Sequence, residues 1–155
     1  MLLREIEYFL ERRHIDVELD RDAIGCLVCN LEEAGLLFSE DYEGTAPDEM
    51  SEILFTKISQ ARIPAMVVTM GGSGAVYATI EGDRGHCPAP KTEVRDTTGA
   101  GDAFFAGVAI GLTYGKTLGE SCAIGTRLAN SVIVTDENIC PRFLPAEFGL
   151  EVDKQ

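Results

Sequence analysis

The sequence predicts an α/β fold, a largely parallel sheet flanked by helices. Three observations carry this expectation. Short apolar runs at 25–29 and 65–69 read as buried strands. Helical periodicity alternates with them, at 31–38, 50–61, 100–113 and 117–132. Glycine-rich turns stand after a strand at 71–74 and before a helix at 99–101, the places where such folds hold ligands.

Each element has its own signal. Residues 2–13 set Leu2, Ile6, Phe9 and Leu10 on one stripe and predict an amphipathic helix. After the strand at 25–29, Asn30 is placed to cap a helix, with Glu33 three positions on. The stretch from Ser39 to Pro47 is acidic and turn-rich. Ile53, Leu54 and Ile58 share one side of the helix at 50–61. The strand at 65–69 leads through a glycine turn to a second strand at 75–80, closed by a hairpin connection at 81–85. Residues 87–91 carry two prolines and predict extended chain or loop. Tyr114-Gly115-Lys116 separates the last two helices, and the tail from Cys140 is expected to be irregular.

Composition bounds the function. At 155 residues, with 45% hydrophobic and 25% charged residues, the chain has material for one globular domain. A net charge of −13 opposes a nucleic-acid or anionic-membrane surface, since both require a basic footprint. No apolar run reaches the ~18 residues of a membrane helix, and the start lacks the pattern of a secretory signal. Cytoplasm is therefore expected. Of the five cysteines, Cys26 and Cys29 have Cys-x-x-Cys spacing. In a strand these side chains diverge, and no second such pair completes a zinc site, so buried free thiols are expected.

The most informative stretch is Asp96-Thr-Thr-Gly-Ala-Gly-Asp102, followed at once by the apolar run Ala103–Leu112. Gly99, Ala100 and Gly101 let backbone N–H groups approach an anion at a helix N-terminus. Asp102 places a carboxylate beside that anion site. Phosphoryl transfer to a hydroxyl needs this pairing of a charge cradle and a base. A plain loop-to-helix junction with a first-turn acid accounts for the same short motif. Thr69-Met-Gly-Gly-Ser-Gly74 is a second phosphate-compatible loop, or a turn requiring positive φ. Asn30 and Glu33 could orient water around Mg²⁺, or form a helix cap.

The longer string from Asp96 to Gly107 resembles the C-terminal signature of the PfkB (ribokinase-like) carbohydrate and nucleoside kinases. Val67–Val76 resembles that family's Thr-x-Gly-x-x-Gly segment at Thr69, Gly71 and Gly74, and Asn30 and Glu33 match its Asn-x-x-Glu motif. The resemblance covers roughly residues 25–145. It implies a ribokinase-like fold and transfer of the ATP γ-phosphate to a sugar or nucleoside hydroxyl. It implies Asp102 as base and Gly99, Ala100 and Gly101 as anion hole. It further implies ATP phosphates around Thr69, Gly71 and Gly74, Asn130 toward the adenine, and Mg²⁺ near Asn30 and Glu33. Asp96 and Thr98 match positions near a monovalent cation, K⁺, although Arg142 stands where relatives often have a small residue.

Family members usually run to about twice this length, and nothing here resembles their N-terminal half or its small β-sheet lid. The chain is therefore expected to be one partial domain over 1–155, the C-terminal half of such a kinase in truncated form. A sheet edge and apolar surface left exposed would favour a homodimer. A nucleotide-binding or interaction module without catalysis is the alternative of a different class.

Overall fold

The structure, a computed structural model, describes residues 25–134 and 144–150. The helix expected at 2–13, Cys140 and Arg142 lie outside the described residues. The chain forms two compact units. Among the described residues, one contains those up to Met70 together with Val76–His86, and the other contains Gly71–Ala75 together with those from Cys87 on.

In the first unit, strand β1 (Leu27–Asn30) runs directly into helix α1 (Leu31–Phe38). The helix ends at Ser39, which takes the left-handed conformation at φ 56° and donates its N–H to the Gly35 carbonyl. Helix α2 (Pro47–Ala61) starts with proline in its first turn, where the missing N–H has no partner to lose. Asp48 and Glu49 follow, in favourable interaction with the helix dipole. Strand β2 (Ala65–Thr69) lies parallel to β1, with Leu27 opposite Met66 and Asn30 opposite Thr69. The Ile80 N–H donates to the Pro64 carbonyl at 2.8 Å, so strand β3 (Ala75–Thr79) returns alongside β2. A hairpin then leads to strand β4 (Arg84–Cys87). The sheet order is β1-β2-β3-β4, and the four described strands form a mixed sheet.

Met50, Leu54 and Ile58 recur at four-residue spacing along α2 and are fully buried against Met66, Val68 and Val76. Each such side chain contributes about 1.5–3 kcal/mol when buried. Several boundaries differ from the sequence expectation, and α2 starts at Pro47 rather than residue 50. β1 begins at Leu27 rather than residue 25, because pairing with β2 starts there, so Cys26 precedes the strand. β4 also starts inside the stretch expected to be the hairpin connection. Its sequence Arg-Gly-His-Cys carries no apolar alternation, and Arg84 is exposed and paired with Glu52 at 2.8 Å.

The second unit centres on helices α3 (Ala100–Thr113) and α4 (Leu118–Ile133). Thr117 caps α4: its hydroxyl accepts the Glu120 N–H at 3.2 Å, and Glu120 accepts the Thr117 N–H at 2.8 Å. The helices pack backbone to backbone. A β-carbon on Gly111 would lie 2.8 Å from the Ser121 Cα, and one on Gly125 would lie 2.7 Å from the Phe104 carbonyl oxygen. Ile124, Leu128 and Leu150 form a small core with Ala103, Ile110 and Phe148. The Arg127 guanidinium covers the Phe148 ring at 4.4 Å.

Candidate active site

The carboxyl ends of β1 and β2 bring Asn30 and Thr69 side by side as register partners. Asn30 ends β1 and caps α1. Its Oδ1 accepts the Glu33 N–H at 2.8 Å, and Glu33 Oε2 accepts the Asn30 N–H at 3.0 Å. This reciprocal box satisfies two helix-end donors and holds both side chains at the sheet edge. The capping role allowed by the spacing is the one the geometry displays. The Thr69 hydroxyl reaches the Cys29 carbonyl at 3.5 Å, a long contact that leaves it half-buried.

The glycine turn is a single 3₁₀ turn, Gly71–Ser73, closed by Gly74 N–H donating to the Gly71 carbonyl at 3.0 Å. Its glycines serve different ends. Gly71 has φ 56° and is exposed, and a β-carbon there would meet nothing within 4 Å. Gly74 has φ 96° and is buried, and a β-carbon would lie 2.1 Å from the Cys87 carbonyl oxygen and 2.6 Å from the Ala89 nitrogen. Chain packing alone thus requires glycine at 74, whereas Gly71 leaves open backbone.

The signature segment is ordered by its own side chains. Asp96 Oδ1 accepts both the Thr98 N–H at 2.9 Å and the Thr98 hydroxyl at 2.8 Å. These bonds, the backbone one first, hold the Asp96 carboxyl below its ordinary range. Gly99, at φ 81°, is the α3 N-cap and supplies no side-chain acceptor. The Ala100 N–H turns back to the Thr97 carbonyl at 3.2 Å, and Ala103 donates to Gly99 at 3.0 Å. Gly101 and Asp102 have no internal acceptor for their N–H groups among the described residues, at the positive end of a 14-residue helix. Both are exposed, and a β-carbon on Gly101 would meet nothing within 4 Å. The arrangement offers an anion open backbone donors with a carboxylate in the same turn.

Asn130 lies near the end of α4, where its Oδ1 accepts the Thr92 hydroxyl at 2.7 Å. The Arg95 N–H donates to the Ile133 carbonyl at 2.8 Å. These bonds tie the approach to the signature onto α4. Neither Thr92 nor the packing glycines 107, 111 and 125 were singled out from the sequence. The small-xxx-small spacing of Gly107 and Gly111 is a readable signal for the latter, whereas the Thr92–Asn130 pair spans 38 residues and leaves none.

Cys26 and Cys29 are half-buried free thiols. Burial pushes Cys26 up to about 11. Burial, and secondarily the Glu33 carboxylate, pushes Cys29 up to about 12. Suppressed thiolates make poor metal ligands and poor nucleophiles. Among the described residues, no three His, Cys, Asp or Glu side chains cluster to hold a metal ion. A cleft of about 750 Å³ beside α1 is lined by Leu31, Glu32, Leu36 and the acidic loop 40–43, and none of the candidate residues lines it. No helix among the described residues is long and apolar enough to cross a membrane.

Residues 21–141 match the family model described as pfkB family carbohydrate kinase. The chain is 34% identical over 121 residues to the guanosine-inosine kinase of Exiguobacterium acetylicum, a match covering 77% of this chain and 39% of that protein. Its fold superimposes on the probable sugar kinase of Rhizobium etli CFN 42 with a TM-score of 0.65 at 27% identity, covering 95% of this chain and 41% of that one. Phosphofructokinase-2 of Escherichia coli, solved in complex with potassium, shares the fold at a TM-score of 0.66 and 20% identity, covering 74% and 37% of the two chains. The chain thus spans about two fifths of the length of these relatives.

Proposed function

Because the chain belongs to the pfkB family of carbohydrate kinases, we propose that it carries the ATP side and the general base of a kinase acting on a sugar or nucleoside hydroxyl. The observation that carries this reading is the α3 N-terminus, where uncapped N–H groups of Gly101 and Asp102 adjoin the Asp102 carboxylate. Those donors suit the negative charge that grows on phosphate oxygens during transfer. Asp102 accepts the proton of the attacking hydroxyl. Gly99 and Ala100 shape the same turn, and Gly71 offers open backbone for phosphate, with Thr69 before it and Gly74 keeping the turn in place. Asn130 orients toward the adenine.

Mg²⁺, when bound with ATP, neutralises phosphate charge. It usually keeps several waters and takes only one or two protein carboxylates. Glu33, fixed at the sheet edge by the Asn30 cap, is the carboxylate assigned to that region. Asp96 and Thr98 are assigned to a monovalent cation, after the potassium complex of the E. coli relative. We read the whole as one partial domain acting in the cytoplasm, with a homodimer as its assembly.

Calorimetric titration with ATP·Mg²⁺, followed by phosphoryl transfer to a panel of sugars and nucleosides, tests the reading. Binding together with transfer supports it. Binding without transfer favours a non-catalytic nucleotide module. No binding contradicts both.

A further inference from the structure

We propose that Cys87 and Cys122 form a reversible dithiol–disulfide site, oxidised by hydroperoxides, that pins the backbone supporting Gly74. Three observations place the two thiols together. Cys87 ends β4 and is half-buried, while Cys122 is fully buried in α4. The Cys87 Sγ donates to the Gly119 carbonyl at 3.5 Å, and Gly119 sits one turn before Cys122 on the same helix face. The Cys122 side chain holds the Cys87 thiol below its ordinary value, an effect that requires the two groups to be neighbours.

Cys26 and Cys29 contrast with it, since burial pushes both the other way. A partly exposed thiol with enhanced thiolate character and a resolving thiol beside it is the arrangement that hydroperoxides oxidise. In the first step the Cys87 thiolate attacks the peroxide. An S–O bond forms, the O–O bond breaks, and hydroxide leaves to take up a proton as water. In the second step the Cys122 sulfur attacks the Cys87 sulfenic acid, an S–S bond forms, and the S–O bond breaks with release of a second water. Two thiols give up two electrons and two protons, and one hydrogen peroxide becomes two waters.

The consequence follows from the contacts of the Cys87 segment. The Gly74 backbone lies directly against Cys87, Pro88 and Ala89, with no room for a β-carbon between them. A disulfide from Cys87 to α4 ties that segment to the helix and restrains the 71–75 turn. The site is independent of the kinase reading and does not rest on it.

The test uses the whole chain, treated with one equivalent of hydrogen peroxide near neutral pH and then denatured for thiol counting and peptide mapping. The five thiols should fall to three, with a mass loss of about 2 Da as two hydrogens leave. The map should join the Cys87 and Cys122 peptides, dithiothreitol should reverse the link, and amide exchange at 71–75 should slow. Cys87→Ser should keep its four thiols at the same dose. Cys122→Ala, checked for folding by circular dichroism, should accumulate a dimedone-reactive sulfenic acid at Cys87. A link joining any other pair, no Cys87–Cys122 link, or thiol loss in Cys87→Ser equal to the parent's overturns the site. Unchanged exchange at 71–75 in the linked protein overturns the restraint.

Discussion

Gly107 of α3 and Gly125 of α4 meet so closely that a β-carbon on Gly107 would lie 2.5 Å from the Gly125 Cα. That contact leaves no side chain to move aside. Gly107→Ala must push the helices apart, at a cost of about 1–3 kcal/mol typical of overpacking. Denaturant unfolding should show a lower midpoint with an unchanged slope. A midpoint equal to that of the parent would contradict the packing.

Gly101 and Gly74 give opposite expectations for the same substitution. Gly101→Ala meets open space and should leave the unfolding midpoint nearly unchanged. Its methyl group would crowd an anion at the α3 N-terminus, and losing one charge-assisted bond of ~1.5–3 kcal/mol weakens ATP·Mg²⁺ binding about tenfold or more. Gly74→Ala should destabilise the fold whether or not nucleotide is present, because φ is 96° and the Cys87 carbonyl blocks the methyl. Parallel thermal and calorimetric measurements separate the two. Equal losses of stability in both variants would refute the division.

Asn30→Ala removes one half of the α1 capping box and should cost about 0.5–2 kcal/mol. Asn30→Asp keeps the acceptor and should retain most of that stability. If the residue also serves the metal region, Asn30→Asp will change the Mg²⁺ concentration needed for half-maximal nucleotide binding while leaving the unfolding midpoint close to the parent's. A midpoint for Asn30→Ala equal to the parent's would remove the cap from the account.

Asp96 sets a pH dependence with a defined sign. Its folded-state carboxyl is held low by the Thr98 amide and hydroxyl. The associated stability is therefore present above the unfolded aspartate value of about 3.9 and is lost as pH falls through the lower folded value. Glu120, held low first by the Thr117 backbone and then by its hydroxyl, acts in the same direction. Thr98→Val removes the hydroxyl bond, keeps the backbone bond, and should raise the Asp96 titration point part of the way. Carboxyl ¹³C titration by NMR reads this directly. An Asp96 that titrates at or above the ordinary aspartate value would contradict the turn geometry.

The local elements were largely legible from residue order. Asn30 with Glu33 marked the start of α1, and the capping box observed there uses those same two groups. The runs at 65–69 and 100–113 appear as β2 and α3 with those boundaries, because apolar period and adjacent glycine turns agree. β4 was not separately legible, since an edge strand reading Arg-Gly-His-Cys is defined by its pairing rather than by its own side chains. At the candidate site, motif order singles out Asp102, Gly99 and Gly71 as candidates, but not which glycines are structural. Only the approach of Cys87 to Gly74 makes that distinction, across 13 residues of chain. The joining of Thr92 to Asn130, and of Cys87 to Gly119, likewise depends on tertiary packing that no local pattern encodes.

The role proposed for Asp102 is that of a base beside an anion cradle at the α3 N-terminus. It is tested most directly by phosphoryl transfer from ATP·Mg²⁺ to the sugar and nucleoside panel, catalysed by the parent chain and by Asp102→Asn. The parent should show measurable transfer, and the variant a rate lower by at least about 10²-fold, the minimum typical of a lost general base. Transfer at the same rate in both, or none in the parent, would contradict it.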